Sequence, residues 1–249
     1  MQTAIYSQMA YLEKKHWWFT ARRKIIDTYI QQFDLPADAQ ILEAGCGTGG
    51  NLAMLATHGQ VWAIEPSEVA RTIAAKQAQQ TGVTLVEGVL PEHIPFSEQQ
   101  FDLIVLLDVL EHLKDDTNSL KALKQRLKPN GKLLMTVPAL PFLWSEHDEI
   151  HHHFRRYTRH MMCQCLEQTG FQVNKLSYYN FWLFPAVFTV RALKKIFKAK
   201  EQESSDLALP PTWLNNILHH LFASERYLLK YVSLPIGVSL IVTASQPKR

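Results

Sequence analysis

Short apolar runs alternate with helical stretches through the first half of the chain, and this rhythm constrains the fold most tightly. The runs predict buried strands at 40–45, 60–65, 83–88, 101–108 and 131–138. The spacing between them predicts helices from about Asn51, over 67–80, and over 117–127 before the turn Pro129-Asn130-Gly131. Buried strands joined by helices indicate a parallel sheet that is covered on both faces.

The rhythm changes after Pro138. The patterns there predict a His- and Arg-rich loop at 139–157, a helix at 158–169 that ends at Gly170, and strands at 171–179 and 237–245. The stretch between the last two strands is far longer than an ordinary connection. Within it, 198–206 is predicted to be a mobile linker because it is polar and carries no apolar pattern.

Composition excludes several classes of protein. The chain has 249 residues, 47% of them hydrophobic and 20% charged, which is too apolar for a disordered chain. Three cysteines are too few for a disulfide scaffold and indicate a reducing compartment. No apolar run is long enough for a membrane-spanning helix, and the first residues lack the pattern of a signal peptide. We therefore expect a cytoplasmic protein, and at a net charge of +3 we expect no nucleic-acid partner.

The small net charge conceals an uneven distribution. Residues 151–200 contain nine Lys or Arg and one acid, a net charge of +8, so the rest of the chain is negative on balance. Six of the eleven histidines lie between His112 and His160. An anionic ligand or surface is therefore expected at the basic part of the chain.

A glycine-rich turn, Glu43-Ala44-Gly45-Cys46-Gly47-Thr48-Gly49-Gly50, follows the first predicted strand. Glycines allow the backbone to turn sharply and approach a ligand, and the next helix offers unpaired N–H groups. Glu65 ends the second strand, where its carboxylate can accept hydrogen bonds from ribose hydroxyls. The glycine spacing also matches an NAD fingerprint, but Glu43 would bring a negative charge near the pyrophosphate.

The motifs ILEAGCGTGG, AIEPS, LPEHIPFSEQQFDLIVLLDVLEHL and LKPNGKLLMTVP, in this order over about 40–138, resemble those of class I S-adenosylmethionine-dependent methyltransferases. The resemblance implies an α/β, Rossmann-like fold. Its seven-stranded sheet would have the order 3-2-1-4-5-7-6, with strand 7 antiparallel. It also implies S-adenosyl-L-methionine as the cofactor and S-adenosyl-L-homocysteine as the product.

The resemblance assigns the cofactor-binding residues by position. It places the methionine portion of the cofactor beside Glu43, Gly45, Cys46, Gly47 and Gly49, the ribose at Glu65, the adenine near Pro66 and Ser67, and the cofactor floor at Asp108 and Val109. Many relatives have an acid after the glycine of strand three, whereas here Gly88 precedes Val89 and Leu90. Backbone groups and apolar packing are therefore expected to hold the adenine, and Cys46 is interpreted as a small packing residue.

The N-terminal segment Glu13-Lys14-Lys15-His16-Trp17-Trp18-Phe19-Thr20-Ala21-Arg22-Arg23 resembles the start of bacterial methyltransferases of cell-envelope and glycan pathways. Helical spacing puts Trp18 near Arg22 and Phe19 near Arg23. One interpretation is an amphipathic helix packed on the sheet. The other, which the resemblance favours, is a lid in which Trp18 covers the cofactor and Arg22 or Arg23 pairs with its carboxylate.

The loop after strand five is expected to face the substrate, because ligands bind at the carboxyl ends of parallel strands. It is similar to the pattern D-x-x-x-x-H-x-R-R-Y-T of relatives, which places Asp148, His153, Arg156 and Tyr157 at the site. We predict that His153 is the base or positions the acceptor, that Asp148 orients a histidine, and that Arg156 and Tyr157 contact the substrate. His151 and His152 are interpreted as solvated.

The segment Asp108-x-x-Glu111-His112 resembles the acid-x-x-Glu-His of polyprenyl-quinone O-methyltransferases, in which a divalent ion can assist. His112 is accordingly included among the catalytic candidates. The alternative is that Glu111 and His112 only orient the loop. The spacing of the histidines and cysteines matches no standard zinc site, and the sequence predicts no metal.

The domain prediction has three parts: an N-terminal helical lid at 1–39, a methyltransferase core at 40–180 and 235–249, and an apolar, basic helical insertion at 181–234. The insertion is predicted to cap the substrate site, and its segment 181–200 to contact an anionic membrane surface at the inner face of the membrane. A helix is expected after Pro210-Pro211, with Thr212 as its cap.

Together these features predict methyl transfer to a small-molecule or lipid-linked acceptor, at a hydroxyl oxygen. Two alternatives remain: a non-catalytic protein of the same fold that binds the cofactor, and an NAD-dependent oxidoreductase. The sequence leaves the oligomeric state open.

Overall fold

The computed structural model describes residues 2–197 and 208–247, so the linker predicted at 198–206 lies outside the described residues. The first half contains α1 (Gln2–Lys15), α2 (Trp17–Ile30), β1 (Gln40–Ala44), α3 (Leu52–Leu55), β2 (Gln60–Ile64), α4 (Glu68–Thr81), β3 (Thr84–Val86), β4 (Phe101–Leu107) and α5 (Asp116–Gln125). The second half contains β5 (Leu127–Pro138), α6 (Glu146–Ile150), α7 (Arg159–Gln168), β6 (Gln172–Tyr179), α8 (Phe184–Phe197), α9 (Thr212–Leu229) and β7 (Ser239–Ser245). Short 3₁₀ turns lie at Leu110–His112 and Pro141–Leu143.

One sheet contains all seven strands, in the order β3-β2-β1-β4-β5-β7-β6. β7 runs antiparallel to β5 and β6, whereas the other neighbouring pairs are parallel. The predicted fold class is therefore confirmed. Because β1, β2 and β4 run in parallel, the turns that follow them lie at the same edge of the sheet.

Apolar side chains cover both faces of the sheet. On one face, Leu120 and Leu123 of α5 and Leu166 of α7 pack on the strands. On the other face, Ile25 of α2 and Phe222 of α9 lie in a second core. The helices on this second face come from the N-terminal segment and from the long stretch between β6 and β7, so both segments are built onto the core. Their division into separate domains stays a prediction.

Three local predictions were wrong. The helix predicted to Leu127 ends at Gln125, and β5 already begins at Leu127. The predicted turn Pro129-Asn130-Gly131 lies within β5, where the pairing with β4 shifts register between Phe101 and Leu103. The predicted loop at 139–157 contains α6, which starts with a capping box between Ser145 and Asp148. Thr212 does not cap α9 but is its first residue, after Pro211. In the described part of the chain, no helix combines the length and hydropathy needed to span a bilayer.

Candidate active site

A cavity of about 630 Å³ lies at the carboxyl edge of the sheet. Of the residues predicted for the site, its lining includes Trp18, Arg22, Arg23, Gly45, Cys46, Gly47, Asp108, His112, His153 and Arg156. The lining does not include Glu43, Gly49, Glu65, Pro66, Ser67, Val89, Leu90, Val109, Asp148 or Tyr157. The structure thus brings the predicted lid, the glycine turn and the loop after β5 to one cavity, while the residues predicted for adenosine lie outside its wall.

The glycine turn has a backbone that side chains rarely adopt. Gly45 has φ +81°, and a Cβ there would lie 2.7 Å from a methyl group of Val109. Gly47 has φ +54° and faces open space in which a Cβ would meet no atom. The two glycines therefore have different functions: Gly45 permits close packing, and Gly47 keeps the cavity open.

Glu65 holds the turn in place. Its two carboxylate oxygens accept hydrogen bonds from the backbone N–H groups of Gly47 and Ser67, both at 2.9 Å. Burial raises the pKa of Glu65, although these two hydrogen bonds oppose the effect. The predicted contact of Glu65 with a ribose stays a prediction, and the adjacent Val89 remains partly exposed.

Glu43 is buried behind the glycine turn. One of its oxygens accepts a hydrogen bond from the Asn51 amide at 2.9 Å, and the other has no partner. Burial raises the pKa of Glu43 to about 8. A buried acceptor without a partner is costly and suits a cationic or N–H-bearing ligand group nearby, as the cofactor's ammonium would be.

Cys46 is buried at the same turn. Burial and the neighbouring carboxylates of Glu43 and Glu65 raise the pKa of its thiol far above the usual range. The thiol therefore stays neutral and is a poor nucleophile, in agreement with its interpretation as a small packing residue.

The N-terminal helices form part of the cavity wall. The guanidinium of Arg22 lies 4.8 Å from the centre of the Trp18 ring, which confirms their predicted proximity. Arg22 is buried and its Nη1 is 2.6 Å from an oxygen of Asp108. Arg23 donates a hydrogen bond to the carbonyl of Glu13 at 2.6 Å. Each arginine thus already has a partner within the protein, and the predicted pairing of Arg22 or Arg23 with the cofactor carboxylate stays a prediction.

Asp148 organises the loop after β5. One of its oxygens accepts hydrogen bonds from His153 Nδ1 at 2.9 Å and from Arg156 Nε at 2.8 Å, and the other accepts one from the Ser145 N–H. Burial disfavours the charged carboxylate, but the hydrogen bonds from His153 and Arg156 outweigh it and hold the pKa of Asp148 well below its usual range. A hydrogen on Nδ1 of His153 leaves Nε2 with the lone pair.

Tyr157 does not have the substrate contact predicted for it. Its ring is only 1% exposed, and its hydroxyl donates a hydrogen bond to Asp116 at 2.8 Å. Its backbone is paired with Pro138 and Leu140 beside β5, which turns the side chain into the core under α5 and α7. The predicted substrate contact was wrong, because Tyr157 packs into the core and holds the loop against the sheet.

His147 and His151 line the cavity as well, and His151 is partly buried there; that it is solvated stays a prediction. His147 in α6 and His151 at its C-cap are four residues apart, and their ring centres lie 4.3 Å apart. His152, in contrast, is exposed, as predicted. The His112 ring lies 4.6 Å from that of His153. Burial and the neighbouring histidines lower the pKa of His112 to about 4, so it is neutral at pH 7.

Glu111, His112 and His153 form a group that could hold a metal ion, with ligand atoms within 4.8 Å of one another. Burial and the nearby Asp108 raise the pKa of Glu111 well above its usual range, and one of its oxygens has no partner. One carboxylate and two imidazoles suit a divalent transition metal. These residues therefore fit the ion that the resemblance suggests, although the sequence predicted no metal.

Several lining residues were not foreseen. Glu13 of α1 accepts a hydrogen bond from the Thr48 hydroxyl at 2.5 Å. Asn180, after β6, lines the cavity, and its amide oxygen is buried without a partner. One wall is a stripe on α8 and the turn before it, formed by Leu183, Ala186, Val187, Val190 and Arg191. These residues are spaced three and four apart, which predicts that they share one face of a helix. The spacing does not show which part of the protein that face contacts.

The fold and the site together define a class I methyltransferase. Residues 17–176 match the model of the Methyltransferase domain family, which covers more than half of the chain. The chain therefore belongs to this family of S-adenosylmethionine-dependent methyltransferases.

Individual relatives are distant. An uncharacterized protein of Methanocaldococcus jannaschii is 26% identical over 71% of this chain and 81% of its own length. The ubiquinone biosynthesis O-methyltransferase of Xanthomonas axonopodis pv. citri is 33% identical, over 41% of this chain and 44% of the enzyme. The chain thus spans less than half of the length of that enzyme.

A solved structure adds support for the fold. The phosphoethanolamine N-methyltransferase 2 of Haemonchus contortus, in complex with S-adenosyl-L-methionine, superposes with a TM-score of 0.59. It is 16% identical, and the match covers 90% of this chain and 52% of that one. At this identity the likeness shows a shared fold and leaves the acceptor open.

Proposed function

We propose that this methyltransferase transfers the methyl group of S-adenosyl-L-methionine to a hydroxyl oxygen of a small-molecule or lipid-linked acceptor. The observation that carries the proposal is the Asp148–His153 pair, in which Asp148 is fully buried and His153 lines the cavity. Asp148 holds the proton on Nδ1, so that Nε2 is the basic nitrogen available to an acceptor hydroxyl.

The chemistry required of the protein is modest. When bound, the cofactor supplies an activated methyl group, and its sulfur keeps the electron pair of the broken C–S bond, which gives S-adenosyl-L-homocysteine. The acceptor oxygen forms the new bond to the methyl carbon and loses its proton to His153 Nε2. The Asp148 carboxylate then stabilises the resulting imidazolium, while Arg156, hydrogen-bonded to Asp148, keeps the carboxylate ionised.

A divalent ion at Glu111, His112 and His153 would polarise the acceptor oxygen. A His153 that binds an ion through Nε2 cannot accept the proton at the same nitrogen. The effect of chelation on turnover therefore separates the two roles of this residue.

The apolar wall supports an acceptor with a hydrophobic portion. Leu183, Ala186, Val187 and Val190 present aliphatic side chains to the same cavity that holds the histidines. A polar head at His153 and a tail along this wall fit an amphipathic molecule. The likeness to ubiquinone biosynthesis O-methyltransferases points in the same direction.

The proposal includes a cytoplasmic location and contact of 181–200 with an anionic membrane at its inner face. All three cysteines are unpaired, which supports a reducing compartment. Trp182, Phe188 and Leu193 are exposed aromatic or aliphatic side chains in this segment, which supports contact with lipid.

Cofactor specificity is tested by calorimetry with S-adenosyl-L-homocysteine and with NAD. We expect binding of the former only; binding of NAD alone would overturn the proposal. Turnover is tested with isotopically labelled methyl donor and a panel of polyprenylated phenols and their short-chain analogues, read by mass spectrometry. A labelled methyl ether supports the proposal. Cofactor binding without any product would favour the non-catalytic alternative.

A further inference from the structure

The outer face of α9 is apolar and exposed along its whole length. Trp213 is 66% exposed and Ile217 is 55% exposed, and Leu221 and Leu228 follow on the same face at helical spacing. Phe222, on the opposite side of the helix, is fully buried against α2 and the sheet. The helix therefore has two apolar faces, of which the described residues cover one.

An 18-residue helix is about 27 Å long. Single exposed apolar side chains are common on protein surfaces, but a stripe of this length marks a contact with another apolar phase or partner. We call the stripe formed by Trp213, Ile217, Leu221 and Leu228 the outer stripe of α9.

The exposed charges of this segment have one sign and lie towards the C-terminal end of α9. Over 208–234 the sequence has two cationic side chains, Arg226 and Lys230, and one acid, Glu225. Glu225 is buried, and its oxygens accept hydrogen bonds from the backbone N–H groups of residues 180–182. This segment therefore presents cations and no exposed carboxylate, which complements an anionic surface.

Aromatic rings with polar tips lie at the C-terminal end of the stripe. Tyr227 is 63% exposed and Tyr231 is 78% exposed. Arg226 lies 4.7 Å from the Tyr227 ring centre, and Lys230 lies 5.7 Å from that of Tyr231. Tyrosines and cations of this kind suit the headgroup region of a bilayer, where one end of the side chain is apolar and the other is hydrated.

The helix that carries the outer stripe also borders the proposed acceptor site with another of its faces. Leu218 lines the cavity, whereas Ile217 of the outer stripe does not. Val190 of α8 also lines the cavity while half of its surface is exposed, so the cavity wall reaches the surface there. An acceptor that left a bilayer beside α9 would meet the apolar wall of the cavity first.

We propose that the outer stripe of α9, together with Tyr227, Tyr231 and the cations that contact them at the C-terminal end of the helix, docks on an anionic phospholipid bilayer and thereby brings the cavity close to its lipid-linked acceptor. The second part of this inference rests on the proposed function. The docking itself does not, because it needs neither the cofactor nor the acceptor.

The test is co-sedimentation of the full chain with vesicles of phosphatidylcholine, with or without phosphatidylglycerol. We expect binding to the anionic vesicles only. The double variant Trp213→Gln/Ile217→Gln should bind roughly tenfold more weakly, because it removes two large apolar side chains from the contact. Lys230→Gln should weaken binding roughly fivefold at low salt. Ile5→Gln, at an exposed apolar residue of α1, is the matched control and should bind as the wild type does.

Each outcome decides the docking. Absence of binding to anionic vesicles, or equal binding by the double variant, would overturn the proposal. So would a stable dimer in solution that the double variant dissociates, because a second copy would then cover the stripe. If the double variant has no cooperative melting transition, it is not folded, and the single variants Lys230→Gln and Ile217→Gln replace it in the vesicle assay. Equal binding by both single variants and the wild type would then overturn the proposal. Calorimetry with S-adenosyl-L-homocysteine on the same samples separates failure of the proposed function from failure of docking.

Discussion

Asp148 joins three groups that are spread over twelve residues of the loop after β5. Ser145, His153 and Arg156 all donate hydrogen bonds to its carboxylate. Removing one partner of a buried ion pair costs about 3–5 kcal/mol, because the other charge stays buried without a counterion. At this position stability and catalysis therefore depend on the same side chain, so Asp148 variants report poorly on mechanism.

His153 permits a cleaner experiment. We expect His153→Ala to lower kcat by about 10²–10⁴-fold, the usual contribution of a general base, with little change in affinity for S-adenosyl-L-homocysteine. His152→Ala is the matched control, because the neighbouring ring is exposed and outside the cavity lining. Steady-state kinetics and calorimetry provide the two readouts. Unchanged kcat in His153→Ala would remove this residue from the mechanism.

Gly47 provides a second test at the residue scale. We expect Gly47→Arg to abolish cofactor binding, because the new side chain would extend into the cavity. Gly82→Arg is the control, since Gly82 also has a positive φ and open space around its Cα but lies at the end of α4. Both variants should lose about 1–3 kcal/mol of stability through backbone strain. Calorimetry should show S-adenosyl-L-homocysteine binding in Gly82→Arg only; equal binding by both variants would contradict the prediction.

At the scale of elements, α9 is tied to the end of β6 by one side chain. The Glu225 carboxylate accepts hydrogen bonds from the backbone N–H groups of Asn180, Phe181 and Trp182, at 2.7–3.0 Å. This turn presents Asn180 to the cavity and leads into α8. Glu225, an acid within the mostly apolar helix α9, thus positions the turn that leads into the α8 wall of the cavity.

Burial raises the pKa of Glu225 from 4.5 to about 7. A raised pKa means that the fold favours the protonated form, so this contribution to stability is complete below pH 4.5 and is lost as the pH rises through 7. We expect the free energy of unfolding of the wild type, relative to that of Glu225→Gln, to fall by roughly 3 kcal/mol over this range. Urea denaturation at several pH values measures it. A difference that does not depend on pH would show that the carboxyl stays ionised in the fold.

The sequence predicted those helices and strands whose own residues have a clear apolar pattern or a capping side chain. β1 and β4 are mostly apolar and almost entirely buried, and Ser67 and Thr158 are side-chain caps at the starts of α4 and α7. The five-residue helix α6 has too few residues to show a period, and it depends on the capping box between Ser145 and Asp148. The same helix brings His147 and His151 to the cavity, so the missed element explains the missed site residues.

At the scale of the whole molecule, the cavity combines residues that the sequence keeps far apart. Glu13, Thr48, Asn180 and Val190 come from four separate segments, and no local pattern indicates that they meet. The residues within the glycine turn were predictable because strand, turn and helix are consecutive there. Of the nine cationic residues in the basic segment 151–200, Arg156 and Arg191 line the cavity, one in the loop after β5 and one in α8.

The N-terminal helices contact the glycine turn in addition to the second core, where α2 packs with α9. Glu13 receives the Thr48 hydroxyl hydrogen bond, and its carboxylate occupies the space where a Cβ on Gly50 would lie, at 2.7 Å. Arg22 pairs with Asp108 on the far side of the turn. These two contacts connect α1 and α2 to the cofactor side of the cavity, so the prediction of a lid can be tested through them.

We expect Glu13→Ala to increase amide hydrogen exchange throughout α1, because it removes the contact that holds this helix on the turn. We also expect S-adenosyl-L-homocysteine to increase the protection of α1 more in the wild type than in Glu13→Ala. The control Glu92→Ala, at an exposed acid, should respond as the wild type does. If the ligand protects the glycine turn but leaves α1 unchanged in all three proteins, α1 is a structural helix and not a lid. Protection that spreads from the turn to α1 and α2 would instead show that ligand binding and closure of the N-terminal helices are one coupled event.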